Sequence, residues 1–193
     1  MQSSSCQNNK NRSLVASLGE VPHNYSPQEI YMKEWNEAHV KKYDTGTIGS
    51  GVKTNVSIKE GSIVLYFHGP ILPGEMINDF DLALQLDVNT FMDSAGDIDD
   101  FVNHSCSPNT ILVCRYHLKY KSFLWCLVAI RDIFPEEEVT FDYSLTMSGK
   151  AWSMDCRCGT ATCRGVVGDF IDLKGDRQQQ LLKLRLQHSG IIS

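Results

Sequence analysis

No stretch of this sequence approaches the roughly 20 consecutive apolar residues that a membrane span requires. The opening MQSSSCQNNKNRS also lacks the apolar core of a secretion signal. A soluble, intracellular protein without membrane attachment is therefore expected. An excess of basic charge is missing too: 18 Lys+Arg stand against 23 Asp+Glu, for a formal net charge of −5. That balance argues against a protein held on nucleic acid by counterion release, so no direct nucleic-acid partner is expected and a basic partner fits better. Long amphipathic helices alternating with strands are absent, which disfavours a doubly wound parallel sheet of the dinucleotide-binding kind. With 193 residues and 42% hydrophobic content, the chain suffices for one domain with small appendages, not for two large ones. No internal repeat is visible.

Residues 1–24 are rich in Ser, Asn and Gln without apolar periodicity, and are read as disordered or loosely packed. Ser26-Pro27-Gln28-Glu29 then spells an N-cap, a proline in the first turn and a capping-box glutamate, ahead of Ile30, Tyr31, Trp35 and Ala38 at helical spacing. The pattern predicts a helix over about 27–42, closed near Gly46, within an N-terminal helical segment 25–45. Short apolar runs follow, at Ile48–Lys53, Val56–Ile58, Ile63–Phe67, Leu82–Val88, Thr110–Arg115, Phe123–Ile130 and Val139–Tyr143. Broken by turn residues, these read as short strands, so the fold class is mainly β with short helices. Near the C-terminus Asp176 can cap a last helix carrying Leu181, Leu182, Leu184 and Leu186, ending at Gly190.

Seven cysteines are present, and Cys156, Cys158 and Cys163 lie together as C-x-C-x4-C. In a reducing compartment, cytoplasm or nucleus, such a cluster reads as metal ligation, here one face of a tetrahedral zinc site. A structural site closes at four ligands, and Cys106, Cys114, Cys126 and His104 are the available fourth. Cys114 and Cys126 sit inside apolar runs, where a buried inert thiol is expected. Cys106 sits in the polar turn Asn103-His104-Ser105-Cys106-Ser107-Pro108-Asn109 and is the choice. Cys6 falls in the N-terminal tail.

That turn, preceded by Phe101-Val102, followed by Glu137-Glu138-Val139-Thr140-Phe141-Asp142-Tyr143 and then by C-x-C-x4-C-R-G, resembles the SET-domain lysine methyltransferases with a post-SET zinc loop. Gly49-Ser50-Gly51-Val52 and Ile58-Lys59-Glu60-Gly61-Ser62-Ile63-Val64 are similar to the family's glycine loop and the strand after it. The resemblance covers about residues 46–170 and is looser in the C-terminal helix, where it points to the compact, stand-alone type. It implies a SET fold of small sheets, with a knot-like substructure around the NHSC turn. The implied division is a SET domain over 46–147 with an acidic variable insert at 75–100, a post-SET loop over 148–170, and a C-terminal helix and tail over 171–193.

The resemblance further implies S-adenosylmethionine as cosubstrate, one structural Zn2+, and a lysine amine of a protein or peptide as acceptor, a histone tail among the candidates. Tyr143 takes the position of the active-site tyrosine. Phe141 takes that of the residue setting product multiplicity, where Phe leaves room for a di- or trimethylated amine. Gly49, Ser50, Gly51, Asn103 and His104 match cofactor-binding positions, and Cys106, Cys156, Cys158 and Cys163 match the zinc ligands. In-line transfer from a sulfonium demands alignment, desolvation and charge management more than bond-making by a side chain. The sequence departs from the family at Asp100, where Arg is usual, at Phe67-His68-Gly69-Pro70 for Y-x-G-E, at Pro135-Glu136 for P-G, and at Ser50 for a bulkier residue.

Between Lys59 and Arg115 there is no Lys or Arg, while Glu60, Glu75, Asp79, Asp81, Asp87, Asp93, Asp97, Asp99 and Asp100 are acidic. The segment reads either as a solvated face or as a wall that attracts a lysine with basic flanks. Two alternatives stand beside the methyltransferase reading. One is a SET-like binding module without turnover; the other is a methyltransferase acting on a free amino acid or other small amine.

Overall fold

The computed structural model describes residues 25–46, 49–80, 82–94, 96–149 and 152–193. The expectation for residues 1–24, Cys6 included, lies outside the described residues. Helix α1 (Pro27–His39) starts as read: the Ser26 hydroxyl accepts from Glu29 N–H, and the Glu29 side chain returns to Ser26 N–H. It ends at His39 rather than near residue 42. From Val40 the chain is strand β1 (Val40–Asp44), paired antiparallel with β2 (Ser50–Thr54). Two contacts stop the helix. His39 stacks on Trp35 at 4.2 Å between ring centres, and Asn55 N–H takes the His39 carbonyl. The 25–45 segment is thus a helix followed by a strand.

The chain continues through β3 (Ile63–Tyr66), β4 (Ile71–Pro73), β5 (Ala83–Asp87), β6 (Thr90–Asp93), β7 (Asn103–His104), β8 (Thr110–His117) and β9 (Ser122–Ala129). After these come β10 (Thr140–Phe141), β11 (Met154–Asp155), β12 (Val166–Val167), helix α2 (Gly175–His188) and β13 (Gly190–Ile192). Val56–Ile58 forms no strand, only an isolated bridge from Ile58 to Ile133. In α2 the N-cap is Lys174 without a side-chain bond, and Asp176 lies inside the first turn.

A four-stranded sheet in the order β13-β8-β9-β3 forms the centre, and β4-β6-β5 forms a separate three-stranded sheet, its β5 and β6 from the insert. Apolar side chains cover the central sheet on both faces. Leu112 and Leu127 pack with Val52, Val64, Val139 and Phe141 on one face. Ile111, Val113, Cys126 and Val128 pack on the other with Met32 of α1 and Leu181 of α2. Strands buried on both faces read as continuous apolar runs rather than alternations, which is how Thr110–Arg115 and Phe123–Ile130 appear in the sequence.

One further pairing positions the site. β10 lies parallel to β7, with Thr140 opposite Asn103 and Phe141 opposite His104. A polar turn and a segment almost 40 positions later are thereby held side by side. Asn109 locks the pair: its Nδ2 donates to the Glu138 carbonyl at 2.8 Å and its Oδ1 accepts Thr140 N–H at 3.0 Å.

Candidate active site and metal centre

Tyr143 opens a 3-10 turn (Tyr143–Leu145) directly after β10. Its backbone N–H donates to His104 Nδ1 at 3.1 Å, and its hydroxyl donates to the Val102 carbonyl at 2.7 Å. With Nδ1 accepting, the His104 proton sits on Nε2, 3.3 Å from Cys106 Sγ. Burial lowers the His104 pKa to about 4, so the ring is neutral in the folded protein. It joins the tyrosine turn to Cys106.

Tyr143 and Phe141 line one cavity of about 520 Å³. Phe67, just after β3, and Phe91 of β6 contribute, with Trp152 and Met154 from the segment that leads into the cysteine cluster. Phe141 is buried, with its ring 4.9 Å from that of Tyr143 and 6.0 Å from that of Phe67. The cavity is an aromatic slot bounded by three segments distant in sequence. Gln85 ties two of them: its Nε2 donates to the Ser148 carbonyl at 3.0 Å, and its Oε1 accepts Ser148 N–H at 3.2 Å.

Gly49, Ser50, Gly51 and Asn103 form a second group, outside the cavity lining. Asn103 Nδ2 donates to the Ser50 carbonyl at 3.2 Å and to Glu138 Oε1 at 3.0 Å. The two glycines serve different needs. Gly49 has φ +91°, and a Cβ there would meet nothing within 4 Å, leaving its backbone open on the outer side. A Cβ on Gly51 would come within 2.9 Å of Asn103 Nδ2 and of Glu138 Oε1. Its missing side chain therefore makes room for Asn103 and Glu138.

The four proposed zinc ligands come together: the Sγ atoms of Cys106, Cys156, Cys158 and Cys163 all lie within 4.8 Å of one another. Cys106 and Cys156 are 3.7 Å apart. A tetrahedron with metal–sulfur bonds of about 2.3 Å has sulfur–sulfur edges of about 3.8 Å, so the thiols fit a zinc ion. Arg164 N–H donates to Cys106 Sγ at 3.4 Å, as an outer group of such a site does. Cys114 and Cys126 stay in β8 and β9, apart from the cluster.

Asp142 was not singled out from the sequence, yet it holds this region together. It is wholly buried, and both its oxygens accept from Arg164 at 2.7 Å. Arg177 of α2 donates to Asp142 Oδ2 at 2.9 Å and to the Cys106 carbonyl at 3.1 Å. Burial opposes its ionisation, but the Arg164 and Arg177 guanidiniums outweigh burial and hold the carboxyl below its usual range. The arginine after the last cysteine, in C-R-G, was the sequence signal that could have pointed to it.

The insert supplies a wall of the cavity, though its charges are not all solvated. Glu75, Asp79 and Asp87 are exposed. Asp97 pairs with Lys33 of α1, and Asp100, where Arg is usual, accepts Ser94 hydroxyl and Gly96 N–H. Asp99 is buried against His68.

Comparison with known proteins agrees with this arrangement. The model of the SET domain family matches residues 49–144. Histone-lysine N-methyltransferase ash1 of Drosophila melanogaster is 30% identical over 163 residues, covering 78% of this chain and 7% of that protein. Histone-lysine N-methyltransferase SUV39H2 of Mus musculus is 33% identical over 147 residues, covering 61% of this chain and 31% of that protein. The chain thus spans less than a third of the length of either relative. Among solved structures, KRYPTONITE in complex with mCHH DNA, H3(1-15) peptide and SAH superposes with a TM-score of 0.54 at 25% identity, over 66% of this chain and 29% of that one. The DNA in that complex leaves the expected absence of a nucleic-acid partner without support. A family match spanning the glycine loop, the NHSC turn and Tyr143, joined to relatives and a fold of the same kind, shows that the chain belongs to the SET-domain methyltransferase family.

Proposed function

We propose that this chain is an S-adenosylmethionine-dependent lysine N-methyltransferase acting on a protein lysine with basic flanks, of the histone-tail class. The observation that carries this reading is the placement of Tyr143. Its hydroxyl is fixed on the Val102 carbonyl at the wall of an aromatic cavity, and its backbone is fixed on His104. A largely apolar cavity lined by a tyrosine with an oriented hydroxyl suits a lysine stem that must lose water and meet a methyl donor in line.

Each group in the chain has a distinct task in this reading. The open backbone at Gly49 and the Ser50–Asn103 pair, with His104, hold S-adenosylmethionine, which supplies the methyl group when bound. Tyr143 orients the amine and methyl through its hydroxyl. Phe141, Phe67 and Trp152 exclude water. Phe141 carries no hydroxyl to fix a water beside the amine, so the slot admits an amine that already bears methyls, and the product is di- or trimethyl-lysine. Cys106, Cys156, Cys158 and Cys163 hold a structural zinc, which fixes the loop bearing Trp152 against the NHSC turn. The exposed Glu75, Asp79 and Asp87 raise the encounter rate with a basic peptide. Thiols kept reduced for a metal suit the nucleus or cytoplasm.

The test is transfer of label from methyl-tritiated S-adenosylmethionine to a panel of histone-tail peptides, unrelated lysine peptides, free lysine and small amines. Label on basic peptides is the expected result. Label confined to free lysine or small amines would overturn the substrate class, and cofactor binding with no labelled acceptor would favour a non-catalytic binding module.

A further inference from the structure

Three successive glutamates follow Pro135, and the structure uses them differently. Glu136 pairs with Lys41 and Lys53, and Glu137 pairs with Arg131. Glu138 is half-buried and forms no ion pair among the described residues. Its Oε1 accepts Asn103 Nδ2 at 3.0 Å, and the Tyr43 hydroxyl hydrogen-bonds to the same carboxyl. Burial and this contact raise the Tyr43 pKa to about 12, so the hydroxyl keeps its proton and donates. The three side chains converge on Gly51: a Cβ there would come within 2.8 Å of the Tyr43 ring and 2.9 Å of both Asn103 Nδ2 and Glu138 Oε1. The Glu138 backbone is fixed as well, bridged to Lys53 of β2 and with its carbonyl accepting Asn109 Nδ2 at 2.8 Å.

These contacts decide which way the Asn103 amide faces. Its Nδ2 donates to the Ser50 carbonyl at 3.2 Å and to Glu138 Oε1, which uses both of its hydrogens. An amide turned end for end would set Oδ1 against those same two acceptors, so the nitrogen is held inward. Oδ1 takes no hydrogen bond from the described residues and is left as an acceptor on the other side of the amide. Without Glu138, one N–H loses its partner and the amide is fixed from the Ser50 side alone.

We propose that Glu138, held by Tyr43, is a positioning residue for the S-adenosylmethionine site, fixing Asn103 with its Oδ1 presented as an acceptor. The inference rests on the methyltransferase reading above, in which Asn103 belongs to the cofactor-binding group. S-adenosylmethionine carries hydrogen-bond donors in its ammonium and its adenine amine, which an outward amide oxygen can meet and an outward NH2 group cannot. Glu138 acts through Asn103 and not on the reacting atoms. Its carboxyl, satisfied by two neutral donors rather than by a cation, is the outer support that a precise binding group needs.

The experiment measures the dissociation constants of S-adenosylmethionine and S-adenosylhomocysteine by calorimetry on the full chain, with melting temperature read without ligand. Glu138→Ala is expected to weaken both about tenfold or more at little change in melting temperature. Glu138→Gln should restore most of that loss, because its amide oxygen still accepts from Asn103. Tyr43→Phe should weaken binding about threefold. In an Asn103→Ala background, Glu138→Ala should add less than about twofold, since a residue acting through Asn103 has nothing left to act on. Losses that multiply in the double variant, or Glu138→Ala binding within about twofold of wild type, overturn the proposal and leave the methyltransferase reading intact. A wild-type chain that binds neither ligand overturns both. If Glu138→Ala does not fold, the same cycle is run with Tyr43→Phe and Asn103→Ala, and a Tyr43→Phe chain with wild-type affinity overturns the proposal.

Discussion

The backbone N–H of Tyr143 donates to His104 Nδ1 at 3.1 Å, while the opposite nitrogen of the same ring lies 3.3 Å from Cys106 Sγ. One imidazole thus connects the tyrosine turn to one of the four clustered thiols, and the parallel pairing of β7 with β10 keeps it there. The setting of Tyr143 and that of the cysteine cluster are structurally linked.

Tyr143→Phe removes the hydroxyl bonded to Val102 without emptying the ring's place between Phe141 and Trp152. Loss of one oriented group at a reacting centre typically slows turnover about 10²-fold or more. Methyl transfer should fall by that factor while cofactor affinity stays near wild type. A variant retaining more than half of the wild-type rate would remove Tyr143 from the reaction.

Elemental analysis should find close to one zinc per chain, lost in Cys163→Ser and in Cys106→Ser. The strands β11 and β12 that flank the cluster are two residues each, too short to hold the loop by pairing alone. Structural zinc supplies folding energy directly, so chelation should lower the melting temperature and abolish transfer together. A zinc-free chain with unchanged melting would contradict the assignment.

Much of the site was legible because its residue types are chemically constrained. Three thiols in a short loop need a fourth, and the polar setting of Cys106 distinguished it from Cys126, which is fully buried in β9. The α1 start was legible from Ser26 and Glu29 for the same reason. What escaped the sequence depended on long-range contacts. The helix end at His39 is set by a ring stack and a bond from Asn55, and β13 exists only because α2 returns Ile191 to pair with Tyr116. The acidic segment reads as a solvated face or as a wall, yet Asp97 pairs with Lys33, Asp99 lies against His68 and Asp100 accepts from Ser94 and Gly96.

Asn36 offers a check on whether α1 is integral to the fold. It is fully buried, its Nδ2 donates to the Tyr66 carbonyl at 2.8 Å, and its Oδ1 accepts Tyr66 N–H at 2.8 Å. The side chain thus completes the edge of β3 as a neighbouring strand would. Asn36→Ala leaves both backbone groups unsatisfied and should destabilise the chain by about 2–4 kcal/mol in denaturant unfolding. A loss below about 0.5 kcal/mol would mean that α1 detaches at little cost.

In the proposed function, product multiplicity turns on Phe141. Its ring packs on Phe67 and Tyr143, and Phe141→Tyr would place a hydroxyl in the slot that can fix a water beside the amine. Mass spectrometry at long times should show di- or trimethylated peptide for the wild type and a shift to monomethyl for Phe141→Tyr. Monomethyl product alone from the wild type would contradict the assignment.

Asp99 makes stability pH-dependent in a direction that can be worked out. Its folded pKa is raised by burial to about 8 from the 3.8 usual for an aspartate. Between those values the folded chain holds a proton that the unfolded chain has released, so stability falls as pH rises across that window. His68 shifts the other way, because burial lowers its pKa, and it contributes only below about pH 6.5. From pH 6.5 to 8.5 the Asp99 effect therefore stands alone within the pair. Asp99→Asn does not titrate, so its melting temperature relative to wild type should rise by about 3 °C or more across that interval. Melting curves of both proteins at the two pH values decide it: a constant difference would show that Asp99 is ionised in the folded state throughout, and that the carboxylate is better solvated or paired than its burial against His68 implies.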